Sequence, residues 1–275
     1  SHATVEGIAS TGYELKIDET IASFYNAVEQ DLQTVELIVE EQPGKIINET
    51  GKELPEFKLL STGRSNYEGS PDGRAFNVRK GLKDIINNAY VQPGESFNFN
   101  NNLGGPVTLS RGWKNSLVIF GGGELRAAPG GGICQSSTTA YRAFVKAGLD
   151  IQERSNHSLY VHYYEAYGDG LDAAIYPGVK NLVAKNNTPG PILIQASNEG
   201  YEGTVNVYGI DDGRDVQLYG PYYPKSIPEE FQDRIKLRSN QIGWWQEIKD
   251  AEGNIIEAKQ LTGTYRSLPR QTNPN

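Results

Sequence analysis

The single cysteine of the chain, Cys134, stands where a thiol can be made to react. Gly130, Gly131 and Gly132 run directly into it, and an amphipathic helix is predicted over 135–147. Glycines permit a sharp turn and let a substrate approach the backbone closely. A helix N-terminus offers free N–H groups and a positive partial charge, which favours thiolate over thiol. The same N–H groups, near Cys134 and Gln135, can hold an oxyanion. The alternative is a buried free cysteine serving as a small hydrophobe. A nucleophilic thiol also needs a base. Of the three histidines, His2 lies in the opening Ser-His-Ala, while His157 and His162 share one segment. A strand predicted over 158–164 points them to opposite faces, and the loop-end position favours His157. Asp172 is the leading third group to orient the imidazole. Asp169 reads as a turn residue, and Asn186 and Asn187 are further candidates.

Other chemistries fit less well. One cysteine excludes an intrachain disulfide and a multi-cysteine structural zinc site. Cys134, His157, His162 and Asp172 could surround zinc, but no His-Glu-x-x-His or repeated Asp-x-Asp pattern is present, so no metal and no cofactor is expected. Neither Gly121-Gly-Gly nor Gly130-Gly-Gly continues into Lys-Ser/Thr, which argues against a phosphate loop. The net charge of −8 leaves no basic stripe to neutralise phosphates, so nucleic acid is not an expected partner. No apolar run approaches the ~20 residues of a transmembrane helix. Met is absent even at position 1, so Ser-His-Ala reads as an expression scar or processed end, and any signal peptide or anchor would lie outside the sequence.

The elements that must position these groups suggest an α+β fold, a few helices against a mostly antiparallel sheet. Residues 1–45 read as a partial module or N-terminal extension: a strand, a helix N-capped by Asp18 with Ile21, Phe24, Tyr25 and Val28 on one face, and a strand over 34–40. A polar linker is expected over 46–59, a main domain over 60–210 and a C-terminal extension over 211–275. In the main domain a helix is predicted over 77–88, a turn into a strand over 91–100, and a strand over 113–120. The helix over 135–147 ends at Gly148 as the left-handed residue. Strands follow at 172–175, 182–186, 192–197 and 203–208. The segment 244–257 reads as a hairpin about Asp250-Ala-Glu-Gly253.

The run Gly130-Gly-Gly-Ile-Cys-Gln-Ser-Ser-Thr-Thr139 resembles the core motif of the VanW family. Upstream, Gln92-Pro-Gly-Glu-Ser-Phe-Asn-Phe-Asn100 and Gly105-Pro106 are similar to a second family motif. Downstream, Glu153-Arg-Ser-Asn-His-Ser158, Leu171-Asp-Ala173 and Lys185-Asn-Asn-Thr188 with Pro191-Ile-Leu-Ile194 follow in the family's order. The resemblance covers roughly residues 60–210. The unit at 13–43 is similar, over a shorter stretch, to the end of a peptidoglycan-binding module that often precedes VanW domains.

The resemblance implies cell-envelope work, outside the cell or at its surface in a bacterium. Some VanW-domain proteins are assigned as L,D-transpeptidases, which by motif makes Cys134 the nucleophile, His157 the base and Asp172 its partner. The usual family pattern has Arg where this chain has Leu171, which puts a charge-based substrate contact there in doubt. Peptidoglycan stem peptides would be the substrate and 3→3 cross-links the product, with no cofactor and a monomeric enzyme. Gly131, Gly132, Gln135 and Ser136 would border the substrate. Tyr160 and Trp113, with Tyr163 and Tyr164, could line an acceptor groove, although core packing claims about half of such aromatics. The alternatives are a cysteine peptidoglycan hydrolase on the same residues, or a wall- or glycopeptide-binding domain in which Cys134 is structural.

Overall fold

The structure, a computed structural model, describes residues 3–6, 12–42, 45–48, 55–119 and 125–268. His2, the Gly121–Gly123 run and positions 49–54 of the expected linker lie outside the described residues. The N-terminal part holds β1 (Ala3–Glu6), β2 (Gly12–Leu15), α1 (Ile17–Glu29), β3 (Val39–Gln42) and β4 (Lys45–Asn48). Strand β1 pairs antiparallel with β4, and β2 with β3. Helix α1 starts one residue before the expected Asp18 cap: Lys16 is the N-cap, and Asp18 sits in the first turn, where its carboxylate still faces the positive helix end. The strand expected over 34–40 is confined to its end, because the preceding residues turn to bring the Ile38 amide onto Thr20 Oγ1. The apolar stripe of α1 stays open, with Phe24, Tyr25 and Val28 each more than half exposed.

The remaining elements form an α+β structure of antiparallel sheets. They begin with β5 (Lys58–Asn66), α2 (Asp72–Gly81), β6 (Ala89–Val91), β7 (Ser96–Asn98), α3 (Phe99–Leu103), β8 (Asn115–Ile119) and β9 (Leu125–Pro129). They continue through α4 (Ile133–Lys146), β10 (Asp150–Arg154), β11 (Leu182–Lys185), β12 (Ile192–Glu199) and β13 (Glu202–Gly209). Strands β14 (Asp215–Tyr222), β15 (Gln241–Lys249) and β16 (Ile255–Thr264) close the chain. The order β5-β13-β12-β6 makes one sheet, β10-β11-β7 a second and β14-β15-β16 a third, all antiparallel, and β8 pairs with β9. The helix expected over 77–88 instead begins at Asp72 behind Pro71. It then widens into a π turn at Leu82–Ile86, which buries Leu82, Ile85 and Ile86 together. No strand forms at 158–164 or 172–175. The first stretch coils into a 3₁₀ turn at His162–Tyr167, and the second runs extended with its backbone bonded to side chains and loops rather than to a ladder.

Helix α4 is the centre of the molecule. It lies against β5, α2 and β13, and nearly every residue from Ile133 to Val145 is buried. Its polar residues are affordable there because each finds a partner. Ser136 Oγ donates to the Val78 carbonyl, Ser137 Oγ to that of Ala173, and Thr139 pairs with Ser65. The helix ends in a Schellman arrangement. The Leu149 amide reaches the Phe144 carbonyl and the Gly148 amide that of Val145, with Gly148 at φ +67°. Closeness to β5 depends on Gly63, where a Cβ would collide with the Thr139 carbonyl oxygen and the Ala143 amide. Gly63→Ala is therefore expected to push α4 off the sheet and cost about 1–3 kcal/mol, read as a lowered urea midpoint at unchanged slope.

Candidate active site

Cys134 is the second residue of α4, and its side chain is half-buried. The glycines before it are themselves buried, which corrects the expectation that Gly131 and Gly132 border a substrate. A Cβ on Gly131 would stand 2.6 Å from the Leu117 carbonyl oxygen of β8. One on Gly132, at φ +115°, would stand 2.9 Å from the Arg74 carbonyl oxygen of α2. Their smallness lets β8 and α2 close around the start of α4. The Cys134 amide, in the first turn, has no carbonyl behind it within the helix, whereas the Gln135 amide is bonded to the Gly132 carbonyl at 2.9 Å. The Ile175 amide points at Cys134 Sγ at 3.4 Å.

The loop at 155–161 brings His157 to this thiol. His157 Nδ1 is 2.5 Å from Asp172 Oδ2, and the His157 amide donates to the same oxygen at 2.8 Å. With the imidazole thus anchored through Nδ1, Nε2 is left for the sulfur. Asp172 is held in turn: Tyr265 Oη donates to Oδ1 at 2.6 Å and Arg154 Nη2 to Oδ1 at 3.2 Å. Arg154 also donates to the backbone carbonyls of Asp172, Gly170 and Thr262. The structure therefore brings Cys134, His157 and Asp172 together.

The electrostatics follow from this packing. Burial works against charge on all three groups and is overcome in each. Burial would lower His157, but the bond to Asp172 and the neighbouring Cys134 thiol raise it from 6.5 to about 9. Burial would raise Asp172, but His157, Arg154 and the Tyr265 hydroxyl bring it down to about 2. For Cys134, burial is outweighed by His157, the Ile175 amide and the charge of Arg74, so the thiol lies below its ordinary value. Both shifts, His157 up and Cys134 down, run in the direction of a thiolate–imidazolium pair.

Several expected site residues are interior instead. Ser136 is fully buried with its hydroxyl on the Val78 carbonyl, facing α2 rather than the thiol. Trp113 is buried in the core with Lys80 over its ring, so it lines no groove. Gln135 is fully buried, and its Nε2 donates to the Asn66 carbonyl while its Oε1 accepts from Arg74. Tyr160 is half-buried, donating to Glu165 and Asp169 and stacked edge-on against Tyr265. His162 is exposed and pairs with Glu165 at 3.0 Å. Asp169 lies in a turn, as expected, and is buried there, accepting from the hydroxyls of Tyr160 and Tyr223. Asn186 is buried and holds its own loop by donating to the Val91 and Gly190 carbonyls, and Asn187 donates to the Gly148 carbonyl. Leu171 is buried, so its position faces the core.

The groups missed in the sequence are Arg154, Tyr265 and Arg74, whereas Tyr163, expected in an acceptor groove, is half exposed and its hydroxyl accepts from Arg74 Nη2. Arg154 was visible as part of the Glu153–Ser158 motif. Tyr265 lies 93 residues from Asp172 and carries no local signal. Among the described residues no cluster of three or more His, Cys, Asp or Glu side chains converges to hold a metal ion, and no helix is long and apolar enough to cross a membrane.

Residues 73–208 match the family described as VanW like protein. The uncharacterized protein YoaR of Bacillus subtilis is 34% identical over 164 residues, which cover 60% of this chain and 52% of that protein. The vancomycin B-type resistance protein VanW of Enterococcus faecalis is 30% identical over 120 residues, 42% of each chain. The chain thus spans about half the length of these relatives. No solved structure matches it. On the family match and the two relatives together, residues 73–208 are assigned to the VanW family.

Proposed function

We propose that the protein is a cysteine-dependent L,D-transpeptidase of the bacterial cell wall, acting outside the cell on peptidoglycan stem peptides. The observation that carries the reading is the Cys134 thiol beside an imidazole anchored by a buried carboxylate. In this reading the Cys134 thiolate attacks the carbonyl of the third stem residue, and a C–S bond forms. The His157 imidazolium gives its proton to the nitrogen of the terminal D-Ala as the amide C–N bond breaks, and D-Ala leaves. The Cys134 amide is the nearest free donor for the tetrahedral oxyanion. A side-chain amine of a second stem then attacks the thioester and passes a proton to His157. The thiolate leaves and the pair is regenerated. The catalytic unit in this reading reaches beyond 60–210, since Tyr265 of the C-terminal extension bonds to Asp172. One chain supplies all three groups, so a monomer suffices.

The test is mass spectrometry of disaccharide-tetrapeptide muropeptides incubated with the protein and, in parallel, with Cys134→Ala. The expected product has the mass of two tetrapeptide units minus D-Ala and is absent with the variant. Loss of D-Ala without a dimer assigns hydrolysis instead. Unchanged muropeptide with folded protein, together with a Cys134 that resists iodoacetamide until unfolding, overturns the enzymatic reading in favour of a binding domain.

A further inference from the structure

Arg74 is a partly exposed guanidinium beside the thiol that no carboxylate neutralises. It projects from α2 across from Gly132, whose added Cβ would lie 3.2 Å from Arg74 Cγ. Its Nη2 donates to Gln135 Oε1 at 3.0 Å and to the Tyr163 hydroxyl at 2.8 Å. Its Cζ stands 4.7 Å from the centre of the Tyr163 ring. Gln135 is fixed by its own bond to the Asn66 carbonyl at 2.7 Å, so the guanidinium is held from two sides. Among the described residues, Nε and Nη1 have no hydrogen-bond partner and Arg74 joins no ion pair.

A pre-oriented arginine with donors to spare is suited to a bidentate carboxylate. We propose that Arg74 binds the free α-carboxylate of the leaving residue, so that the site takes peptides ending one residue past the bond it cleaves. This deepens the acyl-transfer reading and rests on it for the identity of the leaving residue. That carboxylate sits about 3.5 Å beyond the attacked carbonyl along an extended chain, within reach of a cation flanking Cys134. Gln135 and Tyr163 are then the residues that aim Arg74, and Tyr163, half exposed, forms the outer wall beside the carboxylate. An endopeptidase substrate, with an amide in place of the carboxylate, would leave the guanidinium without its counter-charge.

The proposal is tested on binding as well as turnover. The probes are a stem tetrapeptide with a free C-terminal carboxylate and the same peptide as its C-terminal amide. Calorimetry on Cys134→Ala should show the free acid bound about 10–100-fold more tightly than the amide. Adding Arg74→Gln should abolish that preference, and Arg74→Lys should restore part of it. With Cys134 intact, Arg74→Gln should lower kcat/KM for the acid and leave the ratio of acid to amide near one. Equal affinity for acid and amide in Cys134→Ala, or an equal loss on both peptides in Arg74→Gln, overturns the carboxylate site. Selective binding of the acid with no turnover of either peptide supports the carboxylate site while removing the acyl-transfer reading, so the two failures are distinct.

Discussion

Asp172→Asn is expected to lower kcat/KM for acyl transfer by about 10³–10⁴-fold, the scale seen when a carboxylate that orients a catalytic imidazole becomes an amide. The reason lies in the bonds to this one side chain. Asp172 accepts from His157 through Nδ1 and the backbone amide, and from Tyr265 and Arg154. An amide can present its NH₂ to Nδ1 and reverse the tautomer, and it carries no charge to sustain an imidazolium. His157 then falls from about 9 toward its ordinary 6.5, because the desolvation that Asp172 and Cys134 together overcame is now opposed by Cys134 alone. The thiol loses its counter-ion, and iodoacetamide labelling of Cys134 at pH 7 should slow in parallel. Tyr265→Phe removes one hydroxyl and keeps the carboxylate, so its loss should be nearer tenfold, with the pH profile rather than the maximal rate carrying most of it.

The same substitution has a stability signature with a definite sign. Asp172 is depressed from 3.8 to about 2, so its contribution is present above pH 3.8 and lost as pH falls through 2. His157 is raised from 6.5 to about 9, so its contribution is present below pH 6.5 and lost as pH rises through 9. Urea midpoints of the unmodified chain should fall across both windows, and those of Asp172→Asn should be flatter in each. At pH 7 the variant also leaves the buried Arg154 without its charged partner, a loss of about 3–5 kcal/mol. A variant as stable as the parent at pH 7, with unchanged windows, would mean that the carboxylate is not held as described.

Arg142→Met should be the most destabilising change at a position away from the thiol, at about 3–5 kcal/mol. Arg142 is fully buried in α4, and burial brings its guanidinium down to about 10. Nε donates to the Leu171 carbonyl at 3.0 Å, Nη1 to Arg64 at 2.8 Å, and Nη2 to Tyr164 at 2.5 Å and Gly168 at 3.1 Å. One side chain thus ties β5, the 3₁₀ turn and the 168–172 loop to the central helix. Methionine fills much of the volume but leaves four carbonyl oxygens, those of Leu171 and Tyr164 in buried bonds, without that donor. Lysine keeps the charge but not the planar fork, so Arg142→Lys should recover little. A drop in the urea midpoint of corresponding size, with loss of protection of the 164–172 amides in hydrogen exchange, checks the assignment. Because that loop carries Asp172, activity should fall at temperatures where the rest of the fold persists.

What the sequence determined by itself is local. Gly148, the apolar spacing of 135–147 and the glycine run before Cys134 specify a helix with a cysteine in its first turn, and α4 runs from Ile133 to Lys146 with Gly148 left-handed beyond it. The strands predicted over 192–197 and 203–208 and the Asp250–Gly253 turn likewise correspond to β12, β13 and the β15–β16 hairpin. These signals lie within one element or one turn, where spacing alone sets which side chains share a face. Only the tertiary structure decided what surrounds Cys134. The coil at 155–161 has no period: the strand expected to put His157 and His162 on opposite faces does not form, while His157 does lie in a loop, the position that favoured it. Tyr265 and Arg74 reach the site from β16's end and from α2, and long-range contacts of that kind leave no trace in local spacing. The glycines carried the same ambiguity: room for a substrate and room for a neighbouring backbone call for the same residue, and β8 and α2 fill the space at Gly131 and Gly132.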